Sequence, residues 1–155
     1  QGATRTLIDH LESANLIKVD KSGCKLTELG GGVLEQLRRK VAKLCWLSRS
    51  SIAVGAHNFG ILVKGAASKV KSGIEQRDAA IKAGATGAVT IVLSGGRLVM
   101  PPSGDEVRGE DIRRSLIETF GPEDGDVIII SSAETEGAAE YGGLAAAWTL
   151  LEDDC

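Results

Sequence analysis

The first apolar positions of the chain repeat with the period of an α-helix. Within residues 4–16 they are Leu7, Ile8, Leu11 and Leu16, and polar side chains occupy the other positions. This spacing predicts an amphipathic helix. Residues 16–19 and 24–27 then have the composition of strands and flank a turn, Asp20-Lys21-Ser22-Gly23. A helix followed by a short β-hairpin is therefore expected.

A second periodic segment follows the glycines at 30–32. Its apolar residues alternate gaps of three and four, as positions a and d of a coiled coil do, and they are Leu34, Leu37, Val41 and Leu44. The pattern predicts a helix over residues 33–44 with an apolar seam. The seam needs a partner, either elsewhere in the chain or in a second copy, and a homodimer is expected on this basis.

The polar stretch 48–51 predicts a hinge between a domain at 1–50 and a domain at 51–155. In the second domain, strands are expected at 51–56, 59–64, 88–93, 97–100 and 126–131, and helices at 74–83, 110–120 and 138–151. Ser94-Gly95-Gly96 is typical of a hairpin turn, which implies antiparallel pairing. The predicted fold class is α/β of the α+β type, a two-layer sandwich with a mostly antiparallel sheet covered on one face by helices.

Composition indicates a folded protein, since 43% of residues are apolar and 25% are charged. No apolar run approaches the ~20 residues of a membrane helix, and the first residues lack the plan of a signal peptide, so we expect a cytoplasmic protein without membrane contact. Cys24, Cys45 and Cys155 are widely spaced without a C-x-x-C pair. Neither a disulfide framework nor a metal site is predicted, and no cofactor.

The net charge of -3 is unevenly distributed along the chain. Nine basic and five acidic residues precede Ser51, which gives +4 there and leaves -7 for the remainder. A basic first third beside an acidic remainder indicates that the first part contacts a polyanion.

The chain runs in the order helix, "LESANLIKV", turn, "KLTELG" and helix. This order and these segments resemble the second half of a winged-helix domain of prokaryotic repressors. The resemblance implies binding to double-stranded DNA. The helix before the wing would face the major groove with Thr4, Arg5, Thr6, Asp9 and His10, and the wing would contact phosphates with Lys18, Lys21 and Lys25. A complete winged helix has two helices before this one, so we expect the sequence to begin inside such a domain.

Residues 73–88, "GIEQRDAAIKAGATGA", resemble the C-terminal domain of an archaeal family that joins it to a winged helix. The resemblance extends over most of residues 50–150. It implies a transcriptional regulator whose second domain is related in fold to a small domain inserted in some aspartyl-tRNA synthetases. It implies no activity.

Candidate ligand-binding residues in the second domain are His57, Gln76, Arg77 and Asp78. Ser72 and Glu75 have the spacing of a capping box, which would begin a helix and place the last three candidates in its first turns, where anions are favoured. Arg77 is suited to grip a carboxylate or phosphate. His57 lies between two predicted strands and could enter a cleft.

Motifs of catalysis are missing from the sequence. Ile61 stands where a P-loop requires lysine, and there is neither a G-x-S-x-G nor an H-E-x-x-H motif, so no catalytic residue is assigned. The closing helix is rich in glycine and alanine, which suits packing on a sheet or on another subunit. We therefore expect a DNA-binding regulator whose second domain senses a small-molecule effector or holds a dimer. An enzyme of unknown reaction and an assembly module are the alternatives.

Overall fold

The computed structural model describes residues 2–151 and divides the chain between Arg39 and Lys40 into two compact units. The first unit contains α1 (Gly2–Ser13), β1 (Ile17–Asp20), β2 (Gly23–Leu26) and most of α2 (Glu28–Lys40). The predicted helix and hairpin are confirmed. The division falls before the polar stretch 48–51 that the sequence indicated as a hinge.

Helix α2 begins where the hairpin ends because Thr27 caps it. The Thr27 hydroxyl accepts a hydrogen bond from the Gly30 N–H at 3.0 Å, which satisfies one of the donors left free at a helix start. A Cβ on Gly30 would lie 1.8 Å from the Leu16 carbonyl oxygen. This close backbone approach explains one of the three consecutive glycines.

The predicted helix over residues 33–44 is wrong at its C-terminal end. α2 ends at Lys40, and β3 (Val41–Leu47) follows directly. β3 pairs antiparallel with β4, from Val41 opposite Val63 to Leu47 opposite Asn58. The apolar seam is therefore divided between a helix and a strand, because pairing with a distant buried strand outweighs the local helical period.

The second unit contains a six-stranded sheet in the order β3-β4-β8-β5-β6-β7, and every neighbouring pair is antiparallel. After β3, its strands are β4 (His57–Val63), β5 (Gly87–Ser94), β6 (Arg97–Met100), β7 (Asp105–Glu106) and β8 (Val127–Ala133). Its helices are a 3-10 turn (Ala67–Lys69), α3 (Ile74–Lys82), α4 (Glu110–Phe120) and α5 (Glu136–Trp148). The helices and four of the five strands predicted for this part of the chain are confirmed.

The strand predicted at 51–56 is wrong, because these residues form an irregular turn. The Ser50 hydroxyl accepts hydrogen bonds from the N–H groups of Ile52 and Ala53, at 3.4 and 3.2 Å. The Ser50 N–H in turn donates to the Ala53 carbonyl at 2.9 Å. Such local bonds compete with strand pairing.

Helices cover both faces of the sheet. Alternate residues of β4 and β8, among them Ile61 and Ile129, pack with α3 and α5 in one apolar cluster. The residues between them, such as Leu62 and Ile130, pack with Leu116 and Phe120 of α4 in a second cluster. The α+β class with an antiparallel sheet is confirmed, and the expectation that helices cover only one face is corrected.

The small residues of α5 face the sheet. They are buried, and they are Ala139, Gly142, Gly143, Ala146 and Ala147. A Cβ at Gly143 would lie 3.2 Å from side-chain atoms of both Phe59 and Ile61 on β4. Of the two packing alternatives, the structure confirms the sheet.

Candidate functional site

The polar side chains of α1 form an exposed face. Arg5, Thr6, Asp9 and His10 are exposed, whereas Ile8 and Leu11 on the other side are half-buried. Thr4 precedes Ile8 by four positions and so lies on the apolar side of the helix. The structure thus brings together four of the five residues expected to face DNA.

The hairpin places Lys18 directly opposite Lys25 on one face. Lys25 Nζ lies 2.9 Å from an Asp20 carboxylate oxygen, and the Ser22 N–H donates to the other oxygen at 2.7 Å. Hydrogen bonds from Ser22 and then from Lys25 lower the pKa of Asp20. Within the described part of the chain, Lys25 is thus held by the turn, while Lys18 and Lys21 form no ion pair.

The charge of the first unit is smaller than the sequence division suggested. Lys40, Lys43 and Arg49 lie after the structural boundary. The first unit keeps six basic and five acidic residues, a net charge of +1. With a net charge of only +1, binding of a polyanion to this unit would depend on the positions of its basic side chains and less on its net charge.

The four ligand candidates of the second unit do not converge. Gln76 is buried and its Nε2 donates to Thr149 Oγ1 at 2.8 Å. Arg77 forms an exposed ion pair with Asp78 at 3.0 Å and borders two hollows of about 250 and 260 Å³. His57 lies elsewhere, with its Nδ1 3.9 Å from a Glu136 carboxylate oxygen.

The start of α3 is already occupied by an acidic side chain. The N-cap is Gly73, one position later than a capping box with Ser72 requires. The Ser72 hydroxyl nevertheless accepts from the Ile74 N–H and donates to the Glu75 carboxylate, both at 3.2 Å. The backbone N–H of Glu75 contributes most to lowering the pKa of that residue. The expected anion preference of this helix end is thus satisfied within the protein.

A larger hollow, of about 390 Å³, lies between α4 and the segment that follows β3; we call it the α4 hollow. Its apolar lining includes Cys45, Leu47, Ile52, Ala53, Ile112, Leu116 and Ile130. Its polar lining includes Ser48, Arg49, Ser50, Asp111, Ser115 and Thr119. Sequence reasoning missed this site because residues 51–56 were assigned to a strand and no motif joins them to α4.

Three of the five aromatic residues of the chain are exposed, all in the second unit. Tyr141 and Trp148 lie on the outer side of α5, 67% and 49% exposed. Trp46 of β3 is 46% exposed and contacts Phe59 edge to face, with ring centroids 4.8 Å apart. Exposed aromatic side chains are enriched at protein interfaces.

Two further properties concern residues 2–151. No helix there has both the length and the apolar character needed to cross a membrane. In the same residues, no three His, Cys, Asp or Glu side chains gather as metal ligands. Cys24 and Cys45 are free thiols. Cys155, the third cysteine of the sequence, lies outside the described residues.

The fold and these surfaces define an α+β protein with an antiparallel sheet, preceded by a helix–hairpin–helix unit. The chain belongs to the family described as a domain of unknown function, DUF4443, which matches residues 54–150. The structure is similar to that of hypothetical protein PH0730 from Pyrococcus horikoshii OT3, with a TM-score of 0.76 and 25% sequence identity. That similarity covers 99% of this chain and 78% of the archaeal protein. No curated protein matches the chain.

The two comparisons cover different parts of the chain. The family match lies within the second unit, whereas the likeness to the Pyrococcus protein extends through both units. The similarity to the Pyrococcus protein confirms the expected resemblance to an archaeal protein.

Proposed function

We propose that the chain is a DNA-binding transcriptional regulator that contacts double-stranded DNA with α1 and the β1–β2 hairpin. The observation that supports this proposal most is the order of α1, hairpin and α2, with a polar face exposed on α1. That order is the one found in the second half of a winged-helix domain. In such domains the helix before the wing enters the major groove.

The side chains of α1 and the hairpin suit different parts of the duplex. Arg5, near the start of α1, can donate two hydrogen bonds to the acceptor edge of a guanine. Lys18 and Lys21 are exposed in the hairpin and suit phosphate contacts, which position a protein without specifying sequence. Because each chain has few candidate phosphate contacts, the salt dependence of binding should be modest. For each contact, the logarithm of the binding constant should fall by about 0.9 for each unit rise in the logarithm of the salt concentration.

In the same proposal, the second unit binds a small-molecule effector or joins two copies of the chain. The α4 hollow supports the first role. Tyr141, Leu144 and Trp148 support the second, because they are spaced by three and four positions along α5 and are all exposed. A homodimer would double the DNA contacts and read two half-sites.

The DNA-binding part is tested by selecting sequences from random duplexes with the 155-residue chain and measuring gel shifts over a range of salt concentrations. Arg5→Ala should weaken binding to the selected duplex by about tenfold or more and relax its sequence preference. Lys18→Gln should weaken all duplexes similarly and reduce the salt slope by about 1. Arg97→Ala, an exposed change in the second unit, is the matched control. Absence of salt-sensitive binding to any duplex would reject the proposal.

The dimer is tested by light scattering. Trp148→Ser should shift the chain from dimer to monomer while it remains folded. Ile117→Ser alters a similarly exposed apolar residue on α4, 46% exposed against 49% for Trp148, and should leave the mass unchanged. A native chain that is monomeric at micromolar concentration contradicts this part of the proposal.

A further inference from the structure

We propose that the α4 hollow binds a small monocarboxylic acid with an apolar body, held by Arg49 through its carboxylate. The inference deepens the effector-sensing role proposed above and rests on it for biological meaning. The binding event itself needs only the second unit, since every lining residue of the hollow lies there.

The volume and lining of the hollow suit a small molecule. Its volume of about 390 Å³ lies within the range of roughly 300–1,000 Å³ that is usual for ligand pockets. Leu47 and Ile52 line it from the β3 side, and Leu116 of α4 and Ile130 of β8 line it from the core. These side chains give an apolar interior that favours a hydrocarbon group.

The polar groups of the hollow have donors to spare. Among residues 2–151, Arg49 forms no ion pair and the hydroxyls of Ser115 and Thr119 have no hydrogen-bond partner. The Ser50 hydroxyl, in contrast, is engaged by the N–H groups of Ile52 and Ala53. A guanidinium that borders the same hollow as two hydroxyls is suited to a carboxylate, because its planar fork donates two parallel hydrogen bonds.

The charge of the lining selects a ligand with one negative charge. Asp111 borders the same hollow as Arg49, but it has a cation of its own and leaves the Arg49 charge available to a ligand. Its carboxylate is 98% exposed and lies 3.8 Å from Arg114. A nucleotide or another polyanion carries more negative charge than Arg49 alone can compensate, whereas a monocarboxylate is matched by this one cation.

A native reporter lies inside the hollow. Cys45 lines it and is a half-buried free thiol, whereas Cys24 is an exposed free thiol in the first unit. A ligand in the hollow should therefore shield Cys45 from alkylation and leave Cys24 unaffected. The ratio of the two rates, measured on their peptides by mass spectrometry, makes Cys24 an internal reference for reagent and protein concentration.

The experiment measures iodoacetamide labelling of the 155-residue chain, with calorimetric titration as a second readout that does not depend on cysteine reactivity. The probes are hexanoate and phenylacetate, their neutral amides hexanamide and phenylacetamide, and ATP. The acids should slow Cys45 labelling at least severalfold and should release or absorb heat on binding in the calorimeter. The amides should bind at least about tenfold more weakly than the acids. ATP should not bind in the hollow.

Arg49→Gln should weaken binding of the acids by about tenfold or more, and Thr119→Val by a smaller factor. Arg97→Gln makes the same change of charge outside the hollow and should bind as the native chain does. The inference is overturned if neither acid gives protection or heat, if the amides bind as well as the acids, or if Arg49→Gln and Arg97→Gln behave alike. Gel shifts on the same preparations test the DNA proposal separately. If the chain binds the acids but no DNA, only the DNA proposal is rejected.

Discussion

Lys64 donates a hydrogen bond to the Asp126 carboxylate across 2.7 Å, although Asp126 is only 3% exposed. The N–H groups of Gly65 and Glu123 also donate to this carboxylate, at 2.9 and 2.8 Å. Asp126 thus joins the residues after β4 to the turn before β8. A buried carboxylate is stable in the ionised form only with such partners.

Replacing Asp126 with alanine should lower the free energy of unfolding by about 3 kcal/mol, because two backbone N–H groups lose their acceptor and the Lys64 ammonium keeps only Glu123, 3.3 Å away, as a partner. Lys64 is 30% exposed and can still reach water, which keeps the loss below that of a fully buried pair. Urea denaturation measures the change. Asp105→Ala, at an exposed carboxylate without a side-chain hydrogen bond in the described residues, should change stability by less than about 0.5 kcal/mol. Equal effects of the two substitutions would contradict the assigned role.

The same pair predicts how stability depends on pH. Burial alone would raise the pKa of Asp126, but hydrogen bonds from Lys64, Glu123 and Gly65 outweigh it and lower the pKa below 3.8. Its stabilisation is therefore present above the unfolded pKa and is lost as pH falls through the folded pKa. The hydrogen bond to Asp126 raises the pKa of Lys64 above 10.5, so its contribution is lost only as pH rises through that higher value.

Asp126→Asn should accordingly be less stable than the native chain at neutral pH, with the difference shrinking as the pH falls below 3.8. Urea midpoints measured across this range provide the test. A difference that stays constant on acidification would show that the ionised carboxylate is not the source of the stabilisation.

Local patterns predicted much of the fold. The hairpin at Ser94-Gly95-Gly96 and the helix at 110–120 were found because turn chemistry and helical period act within a few residues. β3 was missed because its conformation depends on β4, and its apolar residues fit a helical period as well. The strand at 126–131 was predicted, but its uninterrupted apolar run at 127–130 also indicates burial on both faces. That signal would have predicted helices on both faces of the sheet.

The candidate site was less accessible to sequence reasoning. Arg49 is far along the chain from Asp111 and Thr119 of α4, and the fold brings the three to one hollow. Arg77 attracted notice through its position at a helix start, yet Glu75 occupies that helix end and Asp78 pairs with Arg77. Residues that meet only in the folded chain leave no local sequence pattern, whereas a charged residue near a helix start is visible in the sequence.

Asn58 should be essential for the turn at 51–56. It is buried, and its Oδ1 accepts from the Gly55 N–H at 3.0 Å and the Ser132 hydroxyl at 2.7 Å, while its Nδ2 donates to the Gly55 carbonyl at 3.0 Å. Asn58→Ala should cost about 2–4 kcal/mol in thermal or urea unfolding because buried polar groups lose their partners. Ser132→Ala removes one of these bonds and should cost about 1 kcal/mol. A smaller loss for Asn58→Ala than for Ser132→Ala would contradict this account.

Glycine at position 142 is predicted to be required for the approach of α5 to its neighbours. A Cβ there would lie 2.6 Å from the Ala85 Cβ and 2.8 Å from the Ser131 Oγ. Gly142→Ala should therefore cost about 1–3 kcal/mol, although alanine favours helices. Gly137→Ala in the same helix meets no atom within 4 Å and should stabilise by up to about 1 kcal/mol. Stabilisation by both substitutions, measured by thermal unfolding, would show that the contact at Gly142 relaxes freely.

Ser131 and Gly142 should be energetically coupled. The Ser131 hydroxyl is buried without a hydrogen-bond partner in the described part of the chain, so Ser131→Ala removes an unsatisfied group and should change stability by less than about 1 kcal/mol. It also removes one of the two closest atoms that a Cβ at Gly142 would meet. In the Ser131→Ala background, Gly142→Ala should therefore cost about 0.5–1 kcal/mol less than in the native chain, with the remaining cost arising from Ala85 and from the Ala80 carbonyl oxygen at 3.3 Å. A double-mutant cycle by urea denaturation measures this coupling, and strict additivity would show that the Ser131 hydroxyl contributes nothing to the strain of Gly142→Ala.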